Sequence, residues 1–102
     1  MNNLQETLYL LINIQKNPKL TQRKMAKQLG FSLGKLNYCL KALQKKGFIK
    51  INNFKNNPKK YKYLYMITPK GFAKKTYLTL NFMKKKMEEY DDLKKELEKI
   101  KL

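Results

Sequence analysis

The side chains able to do chemistry gather in one stretch, "SLGKLNYCLKALQK", residues 32–45. It offers ammonium donors at Lys35, Lys41 and Lys45, an amide with paired donor and acceptor at Asn37, and a phenol at Tyr38. That inventory suits recognition. Lys35 can donate to guanine O6 and N7, and Asn37 can read adenine. Tyr38 can hydrogen-bond a phosphate or pack on a thymine methyl group, while Lys41 and Lys45 suit phosphates. Gly34 removes a side chain where close approach is wanted. The chain has no histidine, the commonest general base and metal ligand. Its single cysteine, Cys39, allows no intrachain disulfide and no cysteine-based metal site. We therefore expect neither an enzyme nor a metal or other cofactor.

Charge points the same way. Among 102 residues, 24 are Lys or Arg and 7 are Asp or Glu, a net charge of +17. Six of the acids (Glu88, Glu89, Asp91, Asp92, Glu96, Glu98) fall in the last 15 residues, so residues 1–87 hold 20 bases against Glu6 alone. Lysine-rich composition by itself would not strip acids from the 81 residues between 7 and 87. A field of that size attracts polyanions, and double-stranded DNA is the expected partner. No apolar run approaches the roughly 18 to 20 residues of a membrane span. The opening "MNNLQETLYL" has no signal-peptide pattern. We expect a cytoplasmic protein with no membrane partner.

These residues need elements to hold them. Leu4, Leu8, Leu11, Ile12 and Ile14 give residues 4–16 a helical rhythm, which Asn17 and Pro18 stop. Thr21 is a good N-cap for "QRKMAKQL", and Gly30 suits its end. Ser32 can cap a third helix running to Lys46, with Leu33, Leu36, Leu40 and Leu43 on one face and Gly47 beyond. At 100° per residue those leucines lie within about 80° of one another. Gly34, Asn37, Tyr38, Lys41 and Lys45 read as the opposite side, with Lys35 flanking. Cys39 borders the leucine stripe and reads as a small buried hydrophobe.

Helix, tight turn and helix in succession are the pattern of a helix-turn-helix, whose second helix enters the major groove. Gln22 and Arg23 begin the preceding helix, whose N-terminus would point at a phosphate. Ser32 could make a similar contact. Residues 48–54 and 61–67 read as two strands joined by "KNNPKK". That hairpin would carry a basic wing tip of Lys55, Asn56, Asn57, Lys59 and Lys60, for the DNA backbone or minor groove. Tyr61, Tyr63 and Tyr65 read as one packed strand face. Thr68 and Pro69 then start a helix running to about residue 101, near 50 Å long at 1.5 Å per residue. Leu80, Met83, Met87, Tyr90, Leu93, Leu97 and Ile100 form its apolar stripe, irregular at Tyr90–Leu93. Left bare, that stripe calls for a second chain, so a homodimer is expected.

The predicted fold class is mainly α with a small β-hairpin: a winged helix-turn-helix plus a long C-terminal dimerisation helix. The expected division is 1–68 for DNA binding and 69–102 for dimerisation. The two segments "LTQRKMAKQLGFSLGKLNYCLKALQKKGFIKI" and "YLYMITPKGFAKKTYLTLNFMKKKMEEYDDLKKELEKIK" together resemble MarR-type regulators associated with exopolysaccharide gene clusters, over nearly the whole chain. "SLGKLNYCLKAL" and "ITPKG" are the most specific parts. The resemblance implies a sequence-specific, usually dimeric transcription factor, with DNA reading on the helix from Ser32 to Lys46 and on the wing from Lys55 to Lys60. It leaves a small-molecule effector open. Two other readings of the residues stand beside it: a nonspecific architectural DNA- or RNA-binding protein, and an interaction module working through its C-terminal helix.

Overall fold

The computed structural model describes residues 3–53 and 63–101. The element order is α1 (Asn3–Lys16), α2 (Gln22–Leu29), α3 (Leu33–Lys45), β1 (Ile49–Asn53), β2 (Tyr63–Ile67) and α4 (Pro69–Ile100). The helix ends follow the local chemistry. Thr21 Oγ1 accepts from the Lys24 amide at 3.2 Å, and Ser32 Oγ accepts from the Lys35 amide at 3.1 Å. Each hydroxyl satisfies one of the amides that a first helical turn leaves unpaired.

Two glycines close the short helices. Gly30 has φ 71° and Gly47 has φ 79°, the left-handed region that L side chains rarely enter. After each, the next amide reaches back: Phe31 N donates to Ala26 O at 2.8 Å, and Phe48 N donates to Leu43 O at 2.9 Å. These are paired helix-ending turns that drop Phe31 and Phe48 onto the core. The joint between α2 and α3 is therefore only Gly30–Ser32, which fixes the angle of the third helix.

The core lies where α1, α2, α3 and the hairpin meet. Leu10, Leu11, Ile14, Met25, Leu36, Leu40, Ile49 and Tyr65 are almost wholly buried. The strands are antiparallel, with Ile49 opposite Ile67 and Ile51 opposite Tyr65. The Tyr65 amide also donates to Pro18 O at 3.1 Å, tying the hairpin to the α1–α2 turn. Of the predicted tyrosine face, Tyr65 is buried. Tyr61 and the wing-tip residues Lys55, Asn56, Asn57, Lys59 and Lys60 lie outside the described residues. Leu33 departs from expectation. It is 40% exposed because it stands at the edge of the arc whose centre is Leu36, Leu40 and Leu43.

The start of α4 is locked to the end of α3. Thr68 donates its hydroxyl to Gly47 O at 2.6 Å and its amide to Phe48 O at 3.0 Å, and its Oγ1 accepts from the Gly71 amide at 3.0 Å. Gly71 sits so close to this corner that an added Cβ would stand 2.0 Å from Phe48 O and 2.8 Å from Ile67 Cγ2. Only an unsubstituted carbon fits. Gly71 and Leu78 are buried, and Phe82 is half-buried. From Met83 onward α4 leaves the body, giving the molecule extents of 68 × 26 × 20 Å. Its radius of gyration is 17.6 Å, against about 13 Å for a compact chain of this length. The stripe from Leu80 to Ile100 is bare in the single chain, each of its seven side chains being 52–77% exposed.

Candidate nucleic-acid interface

Helix α3 divides into three sides. Leu36, Leu40 and Leu43 face the core. Gly34, Tyr38, Lys41 and Lys45, spaced four, three and four apart, make an exposed crest opposite them. Tyr38 stands well out from the surface, at 76% exposure. The third side faces α1, and between them runs a groove of about 280 Å³ bordered by Glu6, Leu10, Lys35, Cys39 and Lys46.

Two predicted readers lie off the crest. Asn37 is half-buried, at the border with the core side. It follows Leu36 by one position and lies roughly 95° from the centre of the buried arc, too near to stand opposite it. Lys35 is turned toward α1. Its Nζ donates to Glu6 Oε1 at 2.8 Å and lies 4.5 Å from the centroid of the Phe31 ring. Periodicity on α3 alone could not reveal this partner, which is 29 positions away in sequence.

Cys39 is partly buried on the same side. Burial pushes its thiol above the usual range, and the Glu6 carboxylate adds to that, while Lys35 acts in the opposite sense. The thiolate is thus disfavoured, which suits a packing role. At the start of α2, Arg23 is exposed and Gln22 half-buried. Ser32 is exposed, with its hydroxyl engaged as the cap of α3. No described helix is long and apolar enough to cross a membrane.

A short helix, a glycine joint, a second helix with a polar crest and an antiparallel hairpin now stand in order. Residues 9–50 match a family model described as winged helix-turn-helix DNA-binding. The fold is a winged helix-turn-helix. Solved structures share it. The chain aligns with Staphylococcus aureus MarR, determined in complex with salicylate and kanamycin, at TM-score 0.69 and 20% identity, over 84% of this chain and 56% of that one. Streptococcus pneumoniae FabT in complex with DNA gives TM-score 0.61 and 24% identity, over 84% and 58%. The S. aureus MepR–DNA complex gives TM-score 0.67 and 20% identity, over 98% and 76%. The chain thus spans less than two thirds of the MarR and FabT chains. No curated protein matches it in sequence. Within the winged helix, α3 holds the position of the second helix of the helix-turn-helix, and β1 and β2 form the base of the wing.

Proposed function

We propose that the chain is a sequence-specific double-stranded DNA-binding transcriptional regulator of the MarR type, acting as a homodimer on an inverted repeat. It binds and does not catalyse. The crest of α3 carries the reading: in a body with a single acid, a rigidly capped helix turns Gly34, Tyr38, Lys41 and Lys45 to solvent. With its N-terminal turns in the major groove, Lys35 and Asn37 reach base edges from either flank of the crest. Arg23, Gln22, Ser32, Lys41 and Lys45 sit where phosphates run, and the basic wing from Lys55 to Lys60 takes the backbone or minor groove. The division at Thr68 is functional: DNA contacts before it, pairing after it. A cytoplasmic location fits a DNA partner. "SLGKLNYCLKAL" and "ITPKG" support the exopolysaccharide-associated branch by sequence resemblance.

The second copy follows from the bare stripe on α4. Lys86, Glu89, Lys94, Glu96 and Lys101 flank it with both signs, so an identical helix can set some opposite charges across the seam. The strongly basic bodies can then sit apart on a shared polyanion.

The test starts from genome-wide mapping of bound sites. A mapped site should compete far better than random duplex. Replacing Lys35 and Asn37 by alanine should erase most of that preference, each good base contact being worth about 1–3 kcal/mol of discrimination. Preference retained in the double variant would remove base reading from α3. Equal affinity of the unmodified protein for every duplex would leave a nonspecific architectural protein instead.

A further inference from the structure

Glu6 is the one acid among the first 87 residues, and its carboxylate lies against the candidate recognition helix. Its Oε1 accepts from Lys35 Nζ at 2.8 Å. The glutamate side chain is 11% exposed, while that of Lys35 keeps 46%. The other ion pairs among the described residues, Lys86–Glu89 and Lys99–Glu96, are surface pairs within α4. The Glu6–Lys35 pair instead joins two elements and uses a mostly sheltered carboxylate, which salt screens less than an exposed one. The Phe31 ring holds the same ammonium from the α2–α3 joint. Two grips thus converge on one cation. That cation is in the first turn of α3, the turn that comes nearest to DNA in this fold.

We propose that Glu6 withholds Lys35 from DNA. In the free chain the carboxylate fills the place of a phosphate or base acceptor, and against phosphates alone it keeps the ammonium. Both partners offer a charge-assisted N–H···O bond of similar strength, so the exchange gains little in itself. It also leaves a mostly buried carboxylate without its partner, which is costly. The expected result is lower affinity for every duplex. The penalty is felt most where phosphates alone are on offer, since a correct base pair adds contacts that repay the exchange. Glu6 would then be a positioning residue for Lys35 and a determinant of specificity. The inference rests on the reading of α3 as the DNA-binding helix.

The test uses the full chain and a random-sequence duplex of about thirty base pairs, titrated across sodium chloride concentrations. Glu6→Gln keeps the shape and frees the lysine. It should bind the random duplex more tightly and gain one phosphate contact. The salt slope should steepen by about 0.9, which is about a 3.5-fold additional loss of affinity between 50 and 200 mM salt. In a Lys35→Ala background the same change should leave the slope unaltered. Glu6→Asp, a methylene shorter with its charge kept, should move the same way by less, and it serves if the glutamine variant folds poorly. An unaltered slope in Glu6→Gln overturns the proposal. So does an equal gain in the Lys35→Ala background, which would report net charge alone. A helix-stabilising role for an acid in the first turn of α1 would not move the slope. If the unmodified protein shows no salt-dependent duplex binding, the DNA reading itself fails, an outcome distinct from the others.

Discussion

Gly34 stands in the first turn of α3, and a Cβ built there meets nothing within 4 Å. Among the described residues nothing in the packing accounts for its bareness. Glycine in a helix costs stability relative to alanine. Gly34→Ala should therefore stabilise the free protein by about 0.5 kcal/mol, raising Tm by about 2–4 °C. If the crest docks in a groove, the same methyl should weaken duplex binding by roughly tenfold, about 1.4 kcal/mol. A thermal melt and a binding titration on one preparation check both halves. A stabilised protein with unchanged affinity would place Gly34 outside the contact. Gly71 shows the opposite situation: the fold itself excludes its Cβ. Both glycines stand early in a helix. What distinguishes Gly71 is the carbonyl of Phe48 behind it, a contact between residues far apart in the chain. For the same reason the Glu6–Lys35 pair was hidden, while the Thr21, Ser32 and Thr68 caps were legible, because a cap is a local event.

Element boundaries were legible wherever short-range chemistry sets them. Gly30 and Gly47 end their helices in the left-handed conformation expected of such glycines. The hairpin was legible in kind: of the strands foreseen at 48–54 and 61–67, Ile49–Asn53 and Tyr63–Ile67 form, Phe48 precedes the first, and residues 54, 61 and 62 lie outside the described residues. The leucine stripe of α3 was legible except at its first member, because an angular plot treats every position on the arc as equally deep. Asn37 suffered the converse error. For α4 the periodicity gave one stripe but could not show where the body stops covering the helix. That point is Phe82, and beyond it the apolar side chains are exposed. Leu93 and Leu97 are thus ideal for a test of pairing, since charging them disturbs no part of the core. Leu93→Asp with Leu97→Asp should reduce the solution mass to that of one 12.2 kDa chain. Operator affinity should fall at least a hundredfold as bivalent binding is lost, with the melting curve of the winged helix little changed. Retained dimers would move the pairing surface elsewhere, for instance onto residues 4–14.

At the scale of the whole molecule, two numbers act together. The net charge of +17 makes any duplex attractive, and in the proposed homodimer the 68 Å extent would let a paired tail hold two winged helices apart. The charge supplies affinity without address, falling by a slope of about 0.9 per neutralised phosphate as salt rises. Address comes from geometry. Two α3 helices related by a two-fold axis can enter successive major grooves only on one face of the duplex, with half-sites about 34–36 Å apart or a multiple of that. Spacing is therefore a sharper probe than composition of the site. Inserting about five base pairs between the halves of a mapped site turns one half to the far face of the duplex, given about 10.5 base pairs per turn. Specific binding should drop to the level of random duplex, while the salt slope stays close to its nonspecific value. Inserting a full turn should restore the phase and recover part of the affinity, to the extent that the joined tails can span the longer gap. Binding indifferent to the half-turn insertion would mean that each winged helix reads alone, and the long helix would then serve some purpose other than fixing two readers in register.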